Sequence, residues 1–257
     1  MAKPIAGISL GWIFDTVPDT FCRILNFLRE SGTDAVELCL SAERLRHLVL
    51  FWNQELTASL LAFDYVSLHL PEISWRENDP LTQEVVRHIF FFESASACSP
   101  FSVFVVHPDT IQDWDLLSRC NNDMQRGSGK IVVEFPMDKN KKSGKTLEEL
   151  KIICDRFPDL GFVLDVQHAY ENDASLNLAV NAAKMMGSRL RHLHVSGQKQ
   201  RQEGLSNHSY LHEADNRDDI LRVLSHPLLR DVPRISEGEF KTCDPVAVAN
   251  ELACLRS

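Results

Sequence analysis

Six short apolar runs in the chain each carry a side chain of the metal-ligand type at or near the C-terminal end. They span 65–69, 101–107, 130–134, 161–165, 190–194 and 232–237, and end in His69, His107, Glu134, Asp165, His194 and Glu237. Successive ligand-type residues lie about 27 to 43 positions apart, room for one helix and two loops per unit, so the repeat predicts alternating strands and helices. In a closed parallel barrel all strand C-termini point to one face, so six side chains distant in sequence would converge into one polar cup. The expected fold class is α/β, a (β/α)8 TIM barrel. At 257 residues the chain has the size of one such barrel, and a single domain over 1–257 is expected.

Local signals refine this pattern. A first strand is expected over 5–11 and a second over 34–40. Ser41 reads as the N-cap of one long helix over 41–62, and Thr146 with Glu149 forms a capping-box signature opening a helix over 147–157. The longest polar stretch, 196–219, carries His208, His212, Glu213 and Asp215; on a barrel's C-terminal face such an insertion is where substrate loops sit. The basic run in 139–144 reads as a solvated loop.

Composition narrows the function classes. A formal charge of −9 argues against broad attraction to nucleic acid or anionic membrane, and no apolar stretch approaches the roughly 18 residues that cross a bilayer. Seven cysteines without a C-x-x-C pair fit buried free thiols in a reducing compartment, so a cytoplasmic protein is expected. The oligomeric state is left open.

Imidazole and carboxylate together suit a borderline divalent ion such as Mn, Zn, Co or Fe. Glu134, Asp165, His194 and Glu237 can hold one ion with positions open for substrate or water, and Glu134 can bridge to a second held by His69 and His107. Each residue also has a plainer reading. A strand-end histidine is commonly just hydrogen-bonded, Asp165 can cap the following helix, and Glu237 can pair with Arg234 or Lys241. Jointly the metal reading is stronger, because clustered buried carboxylates need cations and the neighbouring strand ends supply histidines. His47, His88, His192 and His226 are assigned structural roles, His192 being placed on the opposite side of its strand from His194. Trp12 and Glu37 are candidate pocket-lining residues, Trp12 as a stacking surface for a sugar ring.

The series Ser67-Leu-His69, His107-Pro108, Val133-Glu134, Leu164-Asp-Val-Gln-His168, His192-Leu-His194-Val-Ser196, His208-x-x-Leu211-x-Glu213 and Ser236-Glu237 resembles the xylose isomerase-like TIM barrel superfamily. That group joins sugar isomerases and epimerases to apurinic-site nucleases of the endonuclease IV type (AP endonuclease family 2). For the first branch, the resemblance implies one Mn-like ion on Glu134, Asp165, His194 and Glu237. Glu134 and Glu237 would exchange the substrate proton, and His168 would bind a sugar hydroxyl. For the second branch it implies a zinc on His69, His107 and Glu134, a second on the four-residue set, and a third helped by His168 and His208. The sequence departs from that branch at Ser206, where an aspartate ligand of the third ion is expected. It departs again after His69, where Leu-Pro-Glu-Ile-Ser offers an acidic residue and no aromatic for insertion into DNA.

Three functions follow. One is a divalent-metal-dependent isomerase or epimerase of a sugar or sugar phosphate, with one or two Mn or Zn ions per chain and Glu134 and Glu237 as acid and base. Another is a two-metal phosphodiester hydrolase, and the third is a barrel that binds metal without turnover. Acidic charge and the missing DNA-insertion residues weight the balance toward a small carbohydrate-like substrate; the pair His69 and His107 weights it toward the hydrolase.

Overall fold

The computed structural model describes residues 3–11, 18–94, 99–124, 130–201, 204–240 and 242–257. Trp12 and Lys241 lie outside the described residues. In chain order the elements are β1 (Ala6–Ser9), α1 (Pro18–Glu30), β2 (Ala35–Cys39), α2 (Ala42–Leu50), α3 (Gln54–Leu61), β3 (Tyr65–His69), α4 (Pro80–Ser94), β4 (Val103–Val106), α5 (Trp114–Met124) and β5 (Ile131–Phe135). There follow α6 (Leu147–Arg156), β6 (Gly161–Asp165), α7 (Val166–Asn172), α8 (Asn177–Met186), β7 (Leu190–Val195), β8 (Gly197–Arg201), β9 (Gly204–Ser209), α9 (Arg217–Leu224), β10 (Arg234–Ser236) and α10 (Pro245–Leu255). Strands β1 to β7 and β10 close into an eight-stranded barrel, every pair parallel, with β10 between β7 and β1. The (β/α)8 expectation holds.

Strand alternation divides the core in two. Outward residues such as Ile8, Leu38, Leu68, Phe104, Val133, Leu164 and Leu193 belong to the large apolar layer under the helices. Inside, only Val103, Val105, Val132 and Val163, with the ring of Tyr65 against them, form an apolar cluster. A barrel of this kind is usually filled by layers of branched aliphatic side chains. Here buried Glu37, Ser67, His192 and His194 stand on the inward faces of β2, β3 and β7. At Gly7 a Cβ would lie 2.5 Å from the Ala35 carbonyl oxygen.

One expected element divides. The long helix over 41–62 is two helices, α2 and α3, because Asn53 takes an extended conformation and its Oδ1 accepts from the Leu56 backbone N–H at 2.8 Å. An asparagine side chain competes with the helix ladder for backbone donors, and here it starts a new helix. The Ser41 cap and the Thr146–Glu149 capping box form as the sequence indicates. The polar stretch after β7 folds into the antiparallel hairpin β8–β9, outside the barrel wall. Just past β9, buried Glu251 of α10 holds the chain, its carboxylate accepting from Leu211 N (2.9 Å), His212 N (3.1 Å) and Ser236 Oγ (2.6 Å).

Replacing Asn53 with Ala removes the α3 cap and should cost about 1 kcal/mol. Urea unfolding measures it as a lowered midpoint at unchanged slope; an unchanged midpoint would mean that the cap contributes nothing.

Candidate metal centre

Strand ends deliver the six expected residues to one place. Glu134 Oε2 is the hub: His69 Nε2 lies 3.1 Å away, His107 Nε2 3.3 Å and His194 Nδ1 3.2 Å. His194 Nδ1 is also 3.4 Å from Glu237 Oε1. Asp165 serves two purposes. Its Oδ1 caps α7 by accepting from the His168 N–H at 2.7 Å, as the plainer reading expects, while Oδ2 is buried without a hydrogen-bond partner. The proposed pairing of Glu237 with Arg234 does not form, since that guanidinium donates to the carbonyls of Leu224, Arg230, Leu255 and Ser257.

Every imidazole in the cup has an acceptor behind it. His69 Nδ1–H donates to the Leu70 carbonyl (3.3 Å), His107 Nδ1 faces Glu72 (3.2 Å), His168 Nδ1 faces Glu171 (3.2 Å) and His194 Nε2 faces Glu37 (3.1 Å). In each ring the outer nitrogen is held and the inner one is turned toward carboxylate oxygens, the arrangement that orients metal-ligating histidines. The spacing also fits an ion. His69 Nε2 and His107 Nε2 are 3.0 Å apart, and with Glu134 Oε2 they form a near-equilateral triangle. Three donors each about 2.0–2.2 Å from one divalent ion stand roughly 3 Å apart. His69, His194 and Glu237 form a second ligand-type group, and Glu134, Asp165 and His168 a third, so the donor set fits one or two ions.

Two placements differ from the sequence reading. Glu37 does not line the cavity; it is fully buried beneath the cup, its Oε2 accepting from Ser67 Oγ at 2.9 Å. His192 shares the interior face with His194, since residues two apart on a strand point the same way, and the two Nε2 atoms are 3.1 Å apart. The period-two rule locates it from sequence alone when applied correctly. Glu72 and Glu171 were not singled out in the sequence. Glu72 is the acidic residue noted after His69, and Glu171 follows His168 by three positions on α7, a spacing that puts both on one helix face. His208 of β9 reaches the cavity, its ring 5.8 Å from that of His168, whereas Ser206 turns toward Glu239.

The charges are strongly perturbed. Burial raises Glu134, but His107 and His194 outweigh it and hold the carboxyl well below the usual range. Burial lowers His107 and His168, yet the carboxylates around them (Glu134 first for His107, Asp165 first for His168) raise each to about 10. Glu237 is pushed up to about 8 by burial, with the neighbouring Glu134 and Asp165 charges adding to it and His194 opposing.

No protein-family model matches the chain. A "Probable endonuclease 4" of Thermosipho africanus is 31% identical over 139 residues, 48% of this chain and 48% of that protein, so the match spans about half the length of the relative. Two solved structures superpose on essentially the whole chain. A D-allulose 3-epimerase from Methylomonas sp., in complex with D-allulose, has a TM-score of 0.63 at 14% identity and covers 100% of this chain and 96% of its own. A xylose isomerase domain protein from Alicyclobacillus acidocaldarius has a TM-score of 0.64 at 12% identity, with both chains covered completely. At these identities the likeness is one of fold: the chain shares the eight-stranded parallel barrel of these proteins. Among the described residues no helix is long and apolar enough to cross a membrane.

The shifts fix a sign for the metal-free protein. His107 and His168 are raised in the fold, so their stabilisation is complete below about pH 6.5 and lost as pH rises through about 10. Glu237, a raised carboxyl, penalises the fold progressively between about 4.5 and 8. His192, lowered to about 4 by burial, offsets Glu237 up to about pH 6.5. Stability in chelator should therefore fall from about pH 6.5 to 9.5, and excess Mn or Zn should flatten the fall by replacing protons with cations. A urea-midpoint profile that rises over that range would contradict this electrostatic account. Asp165→Ala and His194→Ala should each abolish most metal uptake by equilibrium dialysis, and His168→Ala should retain more; equal loss in all three would make His168 a ligand.

Proposed function

We propose that the protein is a divalent-metal-dependent isomerase or epimerase acting on a small carbohydrate-like substrate. The observation that supports this best is the pair Glu134 and Glu237. The two carboxylates flank His194 Nδ1 at 3.2 and 3.4 Å, and without metal Glu134 is held well below the usual range while Glu237 is raised to about 8. Two carboxyl groups whose environments drive their proton affinities apart are suited to act as base and acid in one site. They face a cavity of about 720 Å³, lined also by Ser9, Cys39, Leu70, His168 and His208. That volume suits a small molecule.

In this reading Glu134, Asp165, His194 and Glu237 hold the ion, with His69 and His107 available for a second. When bound, the metal supplies a positive charge that polarises the substrate's carbonyl and hydroxyl oxygens. The remaining work falls to the protein. The ionised carboxylate of the pair takes the proton from the carbon next to the carbonyl, and the protonated one returns a proton to the neighbouring position or the opposite face. His168, fixed by Glu171, and His208 present ring nitrogens to substrate hydroxyls. The net charge of −9 disfavours nucleic acid as the partner.

A second reading rests on the His69–His107–Glu134 triangle. A one-ion isomerase has no need for it, whereas a two-metal phosphodiester hydrolase uses a second ion to share the charge of the leaving oxygen. The relative at 31% identity points the same way.

Glu237→Gln should lower turnover by about 100-fold or more in an isomerase, because an amide neither takes nor gives the proton. His69→Ala and His107→Ala should cost about tenfold or less there, and as much as Glu237→Gln in a two-metal hydrolase. The assay pairs solvent deuterium incorporation into a ketose panel with cleavage of an abasic-site oligonucleotide. Cleavage that depends on His69 and His107, without deuterium uptake, would replace the isomerase with the hydrolase.

A further inference from the structure

Below the cup, the barrel interior holds a second polar group, buried except at partly buried Tyr65. Glu37 and His192 are fully buried on β2 and β7, Ser67 likewise on β3, and Tyr65 stands at the other end of β3 with its ring on the interior valines. Tyr65 Oη lies 2.9 Å from His192 Nδ1. His192 Nε2 lies 3.4 Å from Glu37 Oε2, and the same oxygen takes Ser67 Oγ at 2.9 Å and His194 Nε2 at 3.1 Å. Among the described residues no lysine or arginine is paired with Glu37.

Hydrogen-bond arithmetic fixes the direction at His194: a carboxylate accepts only, so the imidazole 3.1 Å from Glu37 presents Nε2–H to it. His192, at 3.4 Å, does the same when its proton is on Nε2. With its Nε2 protonated, neutral His192 has a lone pair on Nδ1, and the Tyr65 hydroxyl is the donor that fills it. The same rule applied to His194 leaves Nδ1 as the nitrogen that faces Glu134 and Glu237. The two Nε2 atoms of His192 and His194 are 3.1 Å apart: with the His192 proton on Nε2 they share Glu37 as a common acceptor, and with it on Nδ1 His192 accepts from His194.

We propose that Tyr65, His192, Ser67 and Glu37 are positioning residues that lock His194 in the form protonated on Nε2, so that it binds the metal through Nδ1. The assignment rests on the metal reading of the cup and extends it to residues that touch neither ion nor substrate. Glu37 is the anion behind the ligand, and the relay from Tyr65 fixes which proton each ring keeps. Glu37 thereby contributes negative charge to the site without occupying a coordination position. Outer partners of this kind alter metal affinity by about 10- to 100-fold when removed.

The experiment uses full-length protein with ¹⁵N-labelled histidine, read by two-dimensional NMR without metal and after zinc loading, together with zinc affinity by competition with a chromophoric chelator. In metal-free protein His192 should be neutral with its proton on Nε2; a proton on Nδ1 would overturn the relay whatever the metal does. In zinc-loaded protein His194 should be bound through Nδ1 and protonated on Nε2, and the opposite assignment would overturn the proposal. Glu37→Gln should weaken zinc binding about 10- to 100-fold. Tyr65→Phe keeps the ring on the valines, so it should leave the unfolding midpoint within a small shift while moving the His192 tautomer signature. Wild-type affinity in Glu37→Gln, with cooperative unfolding intact, would overturn the positioning role. If wild-type protein shows the His192 tautomer but takes up no zinc, the metal reading of the cup fails, and the role of the relay toward a ligand falls with it.

Discussion

The site depends on a constraint on imidazole. A neutral ring has one donor and one acceptor nitrogen, and whatever holds the donor decides where the acceptor points. In this barrel the holders are a backbone carbonyl behind His69 and carboxylates behind His107, His168 and His194. These four outer contacts turn four inner nitrogens onto a patch only a few ångströms across. Without them the same histidines at the same strand ends would be free to rotate, and the carboxylates Glu134, Asp165 and Glu237 would face one another with no cation between them. The cost of burying those charges explains why the metal-free cup holds extra protons.

Much of this was legible in the sequence, because the barrel's repeat and its ligand-bearing strand ends share one period. The runs ending in His69, His107, Glu134, Asp165, His194 and Glu237 specify strand, direction and face together, and all six side chains meet. The split of the 41–62 helix was not visible to hydrophobic period alone: the apolar stripe continues through Trp52, and the break is set by one asparagine side chain competing for a backbone donor. Glu72 and Glu171 were invisible for a different reason. Each acts on a histidine through space, and nothing in the local pattern of an acidic residue on a loop or short helix tells which ring it will stand behind. Glu37 was noticed, but with the wrong surroundings, because a strand position specifies the side of the wall and not the depth.

Depth decides the chemistry here. The interior of the barrel is apolar along β4, β5 and β6, where the valines stack, and polar along β2, β3 and β7. The polar half would be a defect in a barrel that served only as a scaffold, since four buried ionisable or hydroxyl side chains displace aliphatic packing. It is tolerated because nearly every polar atom there has a partner, with Glu37 Oε1 and His194 Nδ1 the exceptions.

The β8–β9 hairpin stands apart from that interior. The strand ends that carry the ligand-type residues are woven into a closed ring of backbone hydrogen bonds, whereas the hairpin that brings His208 to the cavity lies outside that ring and is held by Glu251 of α10, by Asn216 and by Glu239. The ion-holding side chains of the strand ends and His208 of the hairpin therefore sit on different pieces of chain. A lineage of such barrels can lengthen, shorten or resequence the hairpin and so exchange one substrate for another, while the inherited cup and its buried scaffold pass through the change untouched.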